Sequence, residues 1–147
     1  MASVPSQFTS EPEPVWDLAT LYPGQGAWDE WDYLELIREG NNRLVELTDG
    51  YVEVLPMPTN EHQDILVYLF DALRSYVATG KLGKVQIAGI PIRIRPGKVR
   101  QPDIVFLGTT NLAKQGHECW DGDDLVIQIV SDDQGSRDRD YRKKPIE

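Results

Sequence analysis

The sequence predicts one α/β (α+β) domain, a central mixed sheet flanked by helices, and three observations carry that expectation. Asp49-Gly50 stands between two alternating runs, the signature of a two-residue β-hairpin. Two stretches, about Asp29 to Glu39 and Thr59 to Gly80, repeat apolar residues at helical spacing. Short β-rich runs then follow between Lys84 and Val130.

Residues 1–15 are read as a disordered tail, because Met1 to Pro14 is polar and holds three prolines. Residues 16–147 are assigned to the domain. Trp31, Leu34 and Ile37 recur along the first helix, which Gly40 stops. Arg43 to Thr48 and Tyr51 to Leu55 alternate on either side of the turn. Pro56 and Pro58 break the second strand, and Thr59 or Asn60 can cap the long helix. That helix carries a wide stripe of Ile65, Leu66, Leu69, Phe70, Leu73, Tyr76 and Val77, and Gly80 ends it.

Lys84 to Ala88, Ile92 to Arg95 and Asp103 to Leu107 read as strands, with a turn at Pro96-Gly97. A loop is expected from Gly108 to Gly122. Leu125 to Val130 reads as a mostly buried, interior strand broken by one polar residue, Gln128. A polar loop, Ser131 to Ser136, leads into the basic run Arg137 to Lys144.

Composition narrows the function classes. The single cysteine, Cys119, excludes an internal disulfide framework and zinc-ribbon spacing, and points to the reducing cytoplasm. No secretory signal and no run of about 20 apolar residues is present, so no membrane partner is expected. Net charge is −9, but it is unevenly spread. Residues 1–61 carry 12 acids and 2 bases, residues 62–147 carry 12 acids and 13 bases. A local basic groove is therefore compatible with the acidic whole.

Asp103 follows Pro102 and opens an apolar strand; alone it reads as a solvated strand-end carboxylate. Its neighbours shift that reading. Period-2 alternation sets Arg93 and Arg95 on one face of their strand, and Lys98 and Arg100 follow in the turn beside Asp103. A carboxylate for a hard metal beside phosphate-binding bases is what phosphodiester cleavage needs. Gln128, polar within Leu-Val-Ile-Gln-Ile-Val, either faces a site or is satisfied internally. Arg137 to Lys144 reads as a solvated face of mixed charge.

The segments Glu46-Leu-Thr-Asp-Gly, Glu61-His-Gln, Val99-Arg-Gln-Pro-Asp-Ile-Val-Phe, Leu125-Val-Ile-Gln-Ile-Val-Ser and Arg137-Asp-Arg-Asp-Tyr-Arg-Lys-Lys occur in that order. Together they resemble a restriction-endonuclease family, long of unknown function, within the PD-(D/E)XK nuclease superfamily. The resemblance spans roughly residues 30–147. It implies a restriction-endonuclease-like core, Mg2+ or Mn2+ as cofactor and DNA as partner; a homodimer stays open.

By the same resemblance Asp103 is a metal ligand and Lys144 orients water or stabilises the phosphate in the transition state. Glu46 is a further ligand or hydrogen-bond acceptor. Gln128 stands where the family has Glu, and His62 matches a histidine of undetermined role. Asp103 and Gln128 are expected near one another. The resemblance departs at three places. Gln128 brings no charge to a metal, Pro145 disfavours helix at Lys144, and the family pattern continues past Glu147, so the chain reads as C-terminally truncated. The leading expectation is a metal-dependent DNA endonuclease impaired in catalysis. The alternative is a non-catalytic nucleic-acid-binding or regulatory module.

Overall fold

Local capping explains where the helices start. A computed structural model describes residues 22–39, 43–87, 89–131 and 137. Helix α1, Glu30–Arg38, begins at an Asp29 N-cap. Asp29 accepts the Asp32 N–H at 2.8 Å while Asp32 accepts the Asp29 N–H at 3.2 Å, a reciprocal capping box. The buried face of α1 differs from the expected one. Tyr33 is fully buried, with Leu34, Leu36 and Ile37 packed beside it, whereas Trp31 is 63% exposed. A phenol can lie in the core because its hydroxyl reaches the Val45 carbonyl at 2.7 Å. The stop expected at Gly40 lies outside the described residues.

Strands β1, Val45–Thr48, and β2, Tyr51–Val54, form the expected hairpin, with Thr48 facing Tyr51. Asp49 (φ 47°) and Gly50 (φ 90°) both take positive φ, as a two-residue type I′ turn requires. A Cβ on Gly50 would lie 2.5 Å from the Gly26 carbonyl oxygen, so glycine also admits a close neighbour.

Helix α2, Asn60–Gly80, starts at Thr59, whose side chain accepts the His62 N–H at 3.2 Å. Its left-handed closing residue is Lys81 (φ 50°) rather than Gly80. Lys81 and Leu82 donate to the Ala78 and Val77 carbonyls, which completes a Schellman closure. The wide apolar stripe is only partly used. Leu66 and Val77 are buried and Leu69, Phe70 and Leu73 are half-buried, but Ile65 and Tyr76 are exposed.

The remaining strands are β3, Gly83–Ile87, β4, Ile92–Arg95, β5, Lys98–Arg100, β6, Ile104–Gly108, and β7, Leu125–Ile127. The α+β class is as expected, with the strands divided into two antiparallel sheets ordered β2-β1-β5-β4 and β3-β6-β7. One isolated parallel bridge, Ile92 to Trp120, links β4 to the segment before β7. The expected loop after β6 opens with a 3-10 turn, Thr109–Lys114. One core, Tyr33, Val45, Leu47, Val99 and Cys119, lies between α1 and the first sheet. A second gathers Ile92, Val105, Leu107 and Trp120.

β7 corrects the sequence reading. Among the described residues it is an edge strand of three residues, and Leu125 and Val126 are 46% and 44% exposed. A short apolar run has the same pattern whether interior or edge, so periodicity did not discriminate. Among the described residues no helix is long and apolar enough to cross a membrane.

The β3–β6 pairing depends on Gly83, where a Cβ would come within 1.9 Å of the Leu107 carbonyl oxygen. Gly83→Ala is expected to lower stability by about 1–3 kcal/mol, since backbone must shift to admit the methyl group. Urea denaturation checks it; an unchanged midpoint would show that the β3 start has room to relax.

Candidate active site

Asp103 immediately precedes β6, and β6 pairs with β7 through Ile104 and Ile127. Continuing that antiparallel register by one residue sets Asp103 opposite Gln128, on the same face. The chain bond geometry supports the placement, because Ile129 donates its backbone N–H to Asp103 Oδ2 at 2.7 Å. The solvated strand-end reading of Asp103 does not hold: the residue is only 3% exposed.

Its other carboxylate oxygen, Oδ1, lies 3.3 Å from His62 Nε2. His62 is the third residue of α2, and the Thr59 cap fixes the turn that carries it. Asp103 thus meets a side chain carried on the first turn of a long helix. His62 Nδ1 is buried and has no hydrogen-bond partner.

Asp103, His62 and Gln128 line one cleft of about 60 Å3, together with Gln63 and Ser131 and walls that include Leu55 and Leu66. Two other clefts are larger, about 350 and 370 Å3, and contain neither Asp103 nor Gln128. Size alone would direct attention to them. The buried carboxylate decides otherwise. Among the described residues no three His, Cys, Asp or Glu side chains gather as a metal cluster, so any ion here draws on fewer charged donors.

Glu46 is buried as well, but it is not part of this lining. Its carboxylate accepts the Gln101 N–H at 3.3 Å and lies 3.8 Å from Arg100 Nε. Gln101, which sequence reasoning missed, is a buried tie. It accepts the Val45 N–H at 2.7 Å and donates to the Gly89 carbonyl at 3.2 Å. No periodicity marks such a residue, since its partners lie far off in the chain.

The bases expected to meet phosphate are engaged within the chain. Arg93 pairs with Glu30 at 2.7 Å and with Asp121, and Glu30 also accepts the Gly97 N–H at 2.8 Å. Arg95 makes a two-pronged pair with Asp49 at 2.7 and 2.8 Å. The hydrogen bond from Arg95 holds the Asp49 carboxyl below its usual range, with smaller contributions from the charges of Lys98 and Arg100. Arg100 donates to the Leu47 carbonyl and the Thr48 hydroxyl at 3.0 and 2.8 Å. Lys144, the basic run around it, and Asp132 and Asp133 lie outside the described residues, apart from Arg137.

Residues 30–146 match the family model Uma2, described as "Putative restriction endonuclease". The chain belongs to the Uma2 family. That family is part of the restriction-endonuclease-like PD-(D/E)XK superfamily, in accord with the resemblance read from the five sequence segments. No curated protein matches the chain. Uma2 membership suggests a nuclease-like function, and families of this superfamily generally use divalent metals.

Proposed function

We propose that this Uma2 chain is a divalent-metal-dependent phosphodiesterase of the endonuclease type, acting on DNA in the cytoplasm, with catalysis impaired at Gln128. The observation that carries the reading is the buried Asp103 carboxylate, held by the Ile129 N–H, with His62 Nε2 beside it and Gln128 in the same cleft. The donors fit a divalent cation: Asp103 and Gln128 offer oxygen, and His62 offers nitrogen. They fit Mg2+ less well than Mn2+, because hard ions depend on carboxylates and this lining has one. When bound, the ion supplies Lewis-acid polarisation of a phosphate oxygen.

The chain's own residues do the remaining work. The Ile129 N–H orients Asp103, and the start of α2 adds positive potential for an approaching anion. A space of about 60 Å3 holds roughly two waters, so a nucleic acid would lie across the mouth with one phosphate edge entering. Lys144 is assigned the second phosphate contact, and Glu46, tied to Arg100 and Gln101, a structural part. Arg93, Arg95, Lys98 and Arg100 form the basic set and would exchange their present interactions for phosphate. Such exchange predicts weak, salt-sensitive binding.

The neutral Gln128 favours a second reading, a module that binds nucleic acid without cutting it. Plasmid nicking with Mg2+ and with Mn2+, run beside binding of a labelled duplex, separates the two. The chain should nick slowly and only with metal, and Asp103→Asn should not nick at all. Duplex binding with no nicking by the chain or by Gln128→Glu selects the module. Fast cleavage by the unmodified chain, lost in Asp103→Ala, would show that Gln128 is no lesion.

A further inference from the structure

The His62 side chain is largely covered in a way its hydrogen bonds do not explain. A histidine that merely fills a core has both ring nitrogens satisfied, because an unpartnered buried polar atom is costly. Here the side chain is 10% exposed and Nδ1 has no partner. The contact through Nε2 is also loose, since 3.3 Å to Asp103 Oδ1 exceeds the roughly 2.7–2.9 Å of a charge-assisted hydrogen bond. The same spacing suits two donors on one ion. Ligands each about 2.1 Å from a metal sit roughly 3.0–3.3 Å apart at angles near 90–105°.

The third consideration is charge. Gln128 leaves the lining with one carboxylate, and an imidazole can complete a donor set that a second carboxylate would otherwise fill. We propose that Nε2 of His62 is the nitrogen donor of this cleft, chelating a divalent transition-metal ion together with Asp103. Imidazole suits Co2+, Ni2+ and Zn2+, whereas Mg2+ prefers oxygen, so His62 sets which ion the site accepts. The inference rests on reading the Asp103 cleft as the reaction centre, but it concerns binding and is tested without catalysis.

Metal binding is measured on the full chain at one fixed pH, by isothermal titration with Co2+ alone and Mg2+ alone. The visible absorption of Co2+ reports nitrogen ligation. The chain should bind Co2+ at least tenfold more tightly than Mg2+. His62→Ala should lose tenfold or more in Co2+ affinity, lose the nitrogen-dependent absorption, and keep Mg2+ affinity within about twofold. Asp103→Asn should weaken both ions. Should His62→Ala fail to fold, His62→Gln keeps the bulk, lacks the ring nitrogens and is read in the same way.

An unchanged Co2+ to Mg2+ ratio in the folded His62 variant overturns the proposal, as does a chain that binds neither ion. The nuclease reading fails separately. Selective Co2+ binding that depends on His62, with no nicking by any variant, removes the endonuclease and leaves the metal site.

Discussion

Gln128→Glu is expected to tighten divalent-metal binding about tenfold or more and to raise DNA nicking by roughly a hundredfold. The position is opposite Asp103 across the β6–β7 pair, in the same cleft. Restoring a carboxylate adds a full negative charge beside the first one, where solvent screening is poor. One preorganised electrostatic contact of this kind is commonly worth a hundredfold or more in rate. The rate gain also requires Lys144, so tighter metal binding without faster nicking would place the remaining defect there.

The same substitution should have a cost without metal. Two carboxylates facing each other in a cleft repel, and the pair relieves this by taking up a proton or a cation. The metal-free variant should therefore melt below the parent, by about 1 kcal/mol in stability, and Mn2+ should restore or reverse the difference by mass action. Thermal melts of both proteins over a Mn2+ series test this directly. Equal melting without metal and no added response to Mn2+ would mean that residue 128 does not face a shared ion.

How much of this was legible beforehand depended on the range of the interactions. The hairpin could be read because Asp49-Gly50 meets a local demand for positive φ. The start of α2 could be read because Thr59 acts within one turn. The ion pairs could not. Alternation showed Arg93 and Arg95 as cations on one strand, but Glu30 and Asp49 meet them from 63 and 46 residues away. His62 likewise stood at a helix start without a role, because its burial and its contact with Asp103 arise only when α2 packs against the strand ends. The exposure of β7 was hidden for a different reason: an apolar run states what a strand can bury, not what covers it.

Tyr33 shows the same gap within one helix, and it carries the largest expected effect on stability. Tyr33→Ala should cost about 3–5 kcal/mol, because it empties the centre of the core shared by Val45, Leu47 and Val99. That is a large share of the 5–15 kcal/mol typical of a domain. Tyr33→Phe should cost about 1 kcal/mol at neutral pH, through the lost hydrogen bond to the Val45 carbonyl. The phenol also makes stability depend on pH. Burial, and then the charge of Glu46, push its pKa well above the ordinary 10.0, with Arg100 opposing. Below about pH 10 both folded and unfolded chains keep the proton, so the contribution is fully present. Above it the unfolded chain releases a proton that the folded chain retains, and stability falls as pH rises, at up to about 1.4 kcal/mol per pH unit. Phenylalanine has no proton to release. Urea midpoints of the parent and Tyr33→Phe at pH 8 and pH 10.5 should therefore converge on the alkaline side. A constant gap between them would mean that the Tyr33 hydroxyl ionises as readily in the folded chain as in the unfolded one.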